Sequence, residues 1–351
     1  MKKNVFAVFS ASLLVLSFVL NTFAAVNDKR VVKRLPKAAA NPLVVMLPAS
    51  DAVITVNGKR FFGEALTNAL SANQKLLGEI FGKLDSIQSK TGIDLRRFDS
   101  IAAGVNIIRK TTKDFDYDPV VIARGTIDSA AMMESSKKAS EGKFRQETIA
   151  GRTVLIFSAQ EVLAQLQPNA AVPVVAPKNL ELKNDIAVSA ADGTTLVFGS
   201  LNRVRETLER KSSVSKEISG LLTKKAPAIL NFAGKIPGGL STLLPLDNDE
   251  LGANIDSIKY LYGSGDVVAG QALISVTGRT VQAQQAADLK GTLDGLKDLG
   301  KAFLGASRAA DKQLYARLLS NVRITQAANE INLDLAIPQS DLDALIAIVS
   351  K

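Results

Sequence analysis

The chain has 351 residues, 46% of them hydrophobic and 22% charged, and its 43 lysines and arginines outnumber 34 acids for a net charge of +9. It contains no histidine, cysteine or tryptophan. Histidine is the side chain whose unperturbed pKa lies in the physiological window, and cysteine thiolate is the strong nucleophile and soft metal ligand. A Ser-His-Asp triad, a Cys-His dyad, a zinc site of the usual ligands, haem ligation through His or Cys and an iron–sulfur cluster are therefore excluded.

Lys2 and Lys3 precede an uncharged, mostly apolar run from Val5 to Leu20, and Thr22-Phe23-Ala24 offers small residues where a signal peptidase reads. Residues 1–24 are expected to be a cleaved signal peptide, which makes the protein exported, periplasmic or secreted. The alternative is an N-terminal membrane anchor, since the stretch from Asn4 to Asn27 is uncharged and Lys29, Arg30, Lys33, Arg34 and Lys37 follow it. Such a cluster resists translocation. Cleavage removes two lysines and no acids, so the mature net charge is 41 − 34 = +7. Without cysteine, stability must come from burial, which a chain of about 300 residues achieves over roughly 75% of its unfolded surface.

Residues 25–41 read as a basic linker whose five cations are candidate contacts to an anionic surface. Val53–Val56 is a β-branched strand. Phe62, Leu66, Leu70, Ile80, Leu84 and Ile87 recur at helical spacing and predict one long core helix stopped near Gly92. Strands follow at Ile101–Ile108 and Val120–Ala123, a helix over Asp128–Lys138, and a hairpin about Ala150-Gly151. Pro168, Pro173 and Pro177 mark an irregular connection. Asp192-Gly193, between Ile186–Ala190 and Thr194–Phe198, predicts a type I′ turn. A charged helix runs from Leu201 to Arg210, with Arg203, Arg205, Arg210 and Lys211 as a solvated face.

The second half repeats this order. Ala228–Phe232 matches Ala52–Val56, Ile255–Ile258 matches Phe98–Ile101, and Ala272–Val276 matches Val120–Ala123. An amphipathic helix with Leu289, Leu293, Leu296 and Phe303 precedes a hairpin, Arg323–Ala328 with Glu330–Ile337, paired in this reading with the one at Ala150-Gly151. The expected fold is α+β, two divergent repeats of an antiparallel sheet with helices packed on one face, over residues 42–212 and 213–351.

Leu47–Val53, Thr91–Asp94 leading into Phe98–Ile101, and Asp192–Ser200 carry a resemblance to exported bacterial proteins of unknown function with a duplicated α+β architecture. The resemblance implies no activity and no site residues.

Asp114, Asp116 and Asp118 alternate as an oxygen-loving cation would want, but Pro119 and Gly125 stand where a calcium loop needs glycine and glutamate, so a solvated hairpin loop is the expectation. Ser213-Val-Ser-Lys216, Ser200-Leu-Asn202 and Lys90-Thr91-Gly92 match the three motifs of penicillin-interacting enzymes in reversed order. Gly263-Ser-Gly265 reads as a strand connection rather than a phosphate loop. Gly291, Gly295, Gly300 and Gly305 dot one helix, either for close packing on the sheet or to let it move aside over an apolar cavity. No catalytic residue, metal or cofactor emerges. The expectation is a non-catalytic binding or structural module of the cell envelope for an apolar or anionic component, a lipid or an anionic polymer and not nucleic acid. The alternatives are a hydrolase using Ser, Lys and carboxylate groups, and a surface interaction protein.

Overall fold

A computed structural model describes residues 41–349 except 92–93, 112–114, 159–184, 226 and 239–248. The signal peptide, nearly all of the basic linker, Gly92, Asp114 and the three loop prolines lie outside the described residues.

Among the described residues, twelve strands form one antiparallel sheet. They are β1 (Ala52–Asn57), β2 (Phe98–Arg109), β3 (Phe115–Gly125), β4 (Arg145–Ile149), β5 (Arg152–Phe157), β6 (Ile186–Asp192), β7 (Thr195–Ser200), β8 (Leu230–Lys235), β9 (Ile258–Val268), β10 (Gln271–Thr280), β11 (Arg323–Ala327) and β12 (Glu330–Pro338). The helices that matter here are α1 (Gln74–Thr91), α2 (Ser129–Ala139), α3 (Leu201–Glu209), α4 (Lys216–Leu222), α5 (Asp249–Asp256), α6 (Ala283–Gly305), α7 (Ala310–Ser320) and α8 (Gln339–Val349). The expected α+β class holds.

The strand order is β11-β12-β10-β9-β8-β1-β2-β3-β7-β6-β5-β4, so the two expected sheets meet as one through the β1–β8 pair. Outward from that pair run β1-β2-β3 on one side and β8-β9-β10 on the other. The hairpin β11–β12 lies against β10 as β6–β7 lies against β3. The hairpin at Ala150-Gly151 sits farther out, at the opposite edge of the sheet, as β4–β5.

Helices cover both faces rather than one. The first face presents Val53, Ala102, Ile122, Val197, Ala187 and Ile156, buried under Leu43 and Leu47 of the leading segment, Val204 and Leu208 of α3, and Ile218 and Leu221 of α4. Leu155, Phe157, Ile186, Val188 and Leu196 turn to the second face, where Leu84 of α1 and Met132 and Met133 of α2 meet them. In the second half, Ile274, Leu335 and Ile337 pack on that face under Leu314 and Leu318 of α7 and Leu342, Leu345 and Ile348 of α8. Near-continuous apolar strands such as Arg152–Phe157 reflect this two-sided burial.

Three local expectations are corrected. The long helix breaks after Ala69: Phe61–Ala65 is π-helical, Leu66–Ala69 is α-helical, and α1 starts anew at Gln74. Asn73 accepts from the Leu76 N–H at 3.1 Å, the N-cap bond that favours a fresh start over continuation. Leu70 is nevertheless fully buried, so the segment belongs to the core. Positive φ at both turn residues occurs at Ala150-Gly151 and Ala269-Gly270, not at Asp192-Gly193. Asp192 instead takes the Thr194 N–H on its own carboxylate at 2.9 Å, an Asx arrangement that supplants the I′ geometry. Gly263 and Gly265 lie inside β9 and do not join strands; a Cβ on Gly263 would stand 2.1 Å from the Ser275 carbonyl oxygen.

Candidate functional site

Alternation on β10 and β12 builds a polar patch on the first face of the second half. Ser275, Thr277 and Arg279 stand opposite Asp334, Asn332 and Glu330 in register. Each opposed pair bonds across the strands. Ser275 Oγ donates to Asp334 Oδ1 at 2.6 Å, Thr277 Oγ1 to Asn332 Oδ1 at 2.6 Å, and Arg279 Nε to Glu330 Oε1 at 2.8 Å. On β9, Ser264 and Tyr262 continue the rows of Ser275 and Thr277, and Asn231 on β8 continues the row of Ser264. The Asn231 Oδ1 atom is buried without a hydrogen-bond partner.

The chain leaving α4 lays two lysines over this patch. Lys225 Nζ donates to Ser275 Oγ at 2.8 Å and Lys224 Nζ to Glu330 Oε1 at 2.7 Å. Both ammonium groups stand over the Tyr262 ring, 5.6 and 5.7 Å from its centre. Arg279 also pairs with Glu217 of α4. Burial pushes the Lys225 amine below its ordinary value; Asp334 and Glu330 oppose that and Lys224 adds to it. Burial, then the Glu330 charge, pushes the Tyr262 phenol up to about 12. Burial works against the Glu330 carboxylate, but the bonds from Lys224, Arg279 and Tyr262 outweigh it and hold Glu330 below its ordinary value. Lys224, Lys225 and Arg279 balance Glu217, Glu330 and Asp334, so the patch carries polarity without a net field.

A second feature lies on α6. Leu296, Leu299 and Phe303 recur at helical spacing and are 45%, 70% and 73% exposed. Sequence periodicity assigned Leu296 and Phe303 to a buried stripe, yet the buried residues of this helix are Ala286 and Leu289. A Cβ on Gly291, Gly295 or Gly305 would meet nothing within 4 Å, and only Gly300 is crowded, by Leu319 of α7 at 2.9 Å. Close packing on the sheet therefore does not explain most of these glycines.

The candidates read from sequence fall elsewhere. Asp116 and Asp118 are within β3 and not in a loop, and Asp116 pairs with Lys110 at 2.8 Å. The described residues contain no group of three or more acids placed to hold a metal ion. Lys29, Arg30, Lys33, Arg34 and Lys37 lie outside the described residues. Ser200 caps α3, Lys216 opens α4, and Lys90 is on α1 across the sheet, so the reversed S-x-x-K, S-x-N and K-T-G motifs form no common site. Arg203 does not face solvent as expected. It is 1% exposed, bonded to Ser50 Oγ at 2.7 Å and Glu206 Oε2 at 2.6 Å. The polar patch was missed because its signal, Ser275-Val-Thr-Gly-Arg279 and Glu330-Ile-Asn-Leu-Asp334, is the plain polar–apolar alternation of a half-exposed strand.

No family model matches the chain, and no curated protein matches it. Among solved structures, crystal form IV of TP0453 aligns over 90% of this chain and 98% of its own, with 12% identity and a TM-score of 0.45. Crystal form III of TP0453 aligns over 89% of this chain and 100% of its own, with 11% identity and a TM-score of 0.43.

Proposed function

We propose that the protein is a non-catalytic binding module of the cell envelope that meets an anionic lipid surface through α6. The observation that carries this reading is the outward stripe of Leu296, Leu299 and Phe303. Contiguous large apolar side chains left in water are uncommon on a monomer and mark interaction surfaces. Their transfer into an apolar layer is worth about 1.5–3 kcal/mol per fully buried side chain. Lys301, Arg308 and Lys312 accompany the stripe against Asp298 and Asp311, a local excess of one positive charge that suits anionic headgroups, while Lys297 is turned to the Val322 carbonyl. No helix among the described residues is long and apolar enough to cross a membrane.

Export to the envelope rests on the apolar N-terminal run and the Thr22-Phe23-Ala24 site. The test is co-sedimentation of the mature chain with vesicles of phosphatidylcholine alone and with added phosphatidylglycerol. The wild type is expected to bind the anionic vesicles, and the double substitution Leu299→Ser, Phe303→Ser to lose most of that binding while melting like wild type. Equal binding by both proteins would remove α6 as the contact. A wild-type chain that self-associates instead would assign the stripe to a second copy.

A further inference from the structure

The two edges of the sheet differ in what lies against them. α6 packs along β11 and sets Lys297 Nζ on the Val322 carbonyl at 3.1 Å, so that edge is covered. At the other edge, β4 has β5 as its single strand neighbour among the described residues. Its five residues pair with β5 without a bulge and contain no proline. Ile149 stands opposite Arg152 across the two-residue Ala150-Gly151 turn, which makes them a hydrogen-bonded pair. Alternation then directs the backbone groups of Glu147 and Arg145 to β5, and those of Gln146 and Thr148 outward. An edge of this kind is a template for a further strand, and proteins block it with proline, bulges, like charges or a covering helix. β4 instead carries one charge of each sign, Arg145 and Glu147, two positions apart on the first face opposite Ile156 and Val154.

From this open edge and the charges along it, we infer that β4 pairs with β4 of a second copy of this chain, antiparallel about a two-fold axis at Gln146. The outward groups and the charges select that register. The two Gln146 residues exchange N–H···O=C bonds, and on either side Phe144 does the same with the partner's Thr148, about six bonds in all. Arg145 then stands directly opposite the partner's Glu147, once on each side of the axis. Opposite charges so placed attract, whereas like charges repel. An axis at Glu147 would set two carboxylates face to face, and an axis at Thr148 would put Glu147 against the partner's Ile149. Arg145 is exposed and Glu147 partly so. Their partners within the chain, Asp185 for Arg145 and Arg205 at 3.1 Å for Glu147, are surface pairs of small worth that leave both groups open to a further contact. An isologous pair of this kind closes on itself, so assembly stops at the dimer. The contact is independent of α6 and of the lipid reading.

A contact of one strand on each side lies at the small end of specific interfaces, below about 1,200 Å² in total, so the dimer is expected to be weak. The test is sedimentation equilibrium of the mature chain from ~1 to ~200 μM, over which monomer should give way to dimer with a Kd on the order of tens of micromolar. Gln146→Pro removes the N–H at the axis, which β5 does not use, and an edge strand accepts proline there. That variant is expected to melt like wild type and to stay monomeric. Arg145→Glu and Glu147→Arg each create two facing like-charge pairs and should each weaken the dimer about tenfold. Mixed in equal amounts, the two variants should recover wild-type association as a heterodimer, because both facing pairs are then opposite in sign. The mixture decides the matter if Gln146→Pro fails to fold. A chain that stays monomeric over the whole range, a dimer indifferent to Gln146→Pro, or single variants that mixing does not rescue would overturn the inference. So would a dimer abolished by Leu299→Ser, Phe303→Ser and kept by Gln146→Pro, which would place the contact on α6.

Discussion

Arg203 is the sharpest point at which to perturb the fold. Its guanidinium is buried under the leading segment, where Nη2 bonds Ser50 Oγ at 2.7 Å and Nη1 bonds Glu206 Oε2 at 2.6 Å. The Asn106 amide, oriented so that both its ends are satisfied, gives its nitrogen to the Ala49 carbonyl at 3.0 Å and its oxygen to Arg203 Nη1 at 3.2 Å. The Nε atom has no partner at all. An unmet buried donor costs about 1–3 kcal/mol, and a buried charge costs more in lost hydration than a single ion pair returns. Removing the charge leaves little behind uncompensated: Ser50 Oγ still donates to the Pro48 carbonyl at 2.9 Å, and Glu206, whose side chain is 41% exposed, returns to water. Arg203→Met keeps much of the volume and is expected to fall within about 1 kcal/mol of wild type. Arg203→Ala empties the volume of a side chain that is 1% exposed and should cost about 2–4 kcal/mol. Urea denaturation of the two variants, compared at equal slope, measures both values. If methionine proves as damaging as alanine, the charge itself holds the Pro48–Ser50 segment to the sheet, and the desolvation argument is wrong.

Two further outcomes follow from the second half. With its phenol at about 12 in the folded chain and about 10 when unfolded, Tyr262 favours its protonated form in the native state, so its contribution is complete below pH 10 and is lost as pH rises towards 12. The stability difference between wild type and Tyr262→Phe should therefore change by on the order of 2 kcal/mol across that window, and a flat difference would contradict the burial of the phenol. Gly295→Ala is expected to stabilise the chain by up to about 1 kcal/mol in thermal or urea unfolding, since the added Cβ meets nothing and alanine is the better helix former; destabilisation would mean that α6 needs the glycine.

Much of the architecture was legible because burial leaves a pattern in the strands. Val53–Val56, Ile101–Ile108 and Val120–Ala123 all fall inside observed strands. Failures came where a local polar bond competes with periodicity. The Asn73 cap splits a helix whose apolar spacing runs straight through it. The Asp192 carboxylate reshapes a turn whose dipeptide predicts another type, while Ala150-Gly151 and Ala269-Gly270 take up the positive φ angles without the asparagine or aspartate that usually announces them. The polar patch was illegible for a different reason. Ser275 and Asp334 are 59 positions apart and Lys225 is 50 from Ser275, so only the register of β10 with β12 and the exit of α4 bring them together. Arg203 was misplaced because the leading segment that buries it folds back from more than 150 positions away.

The orientation of α6 argues that its exposed leucines are not the residue of poor packing. The helix is fixed at several points: a capping box at Gln282 and Gln285, the buried Ala286 and Leu289, the Asn254–Thr292 bond at 3.0 Å, and Lys297 Nζ on the Val322 carbonyl at 3.1 Å. These contacts turn a lysine toward the neighbouring structure and leave Leu299 and Phe303 pointing away from it. A helix answering only to its own core would place the leucines inward and the lysine in water. Glycines at 291 and 295 lower its intrinsic stability by about 1 kcal/mol each relative to alanine, without any crowding that requires them. An anchored helix with a weakened middle and an outward apolar edge is suited to gaining order from a surface it docks on. That is the physical case for placing the contact here rather than on the polar patch, whose charges are already matched within the fold.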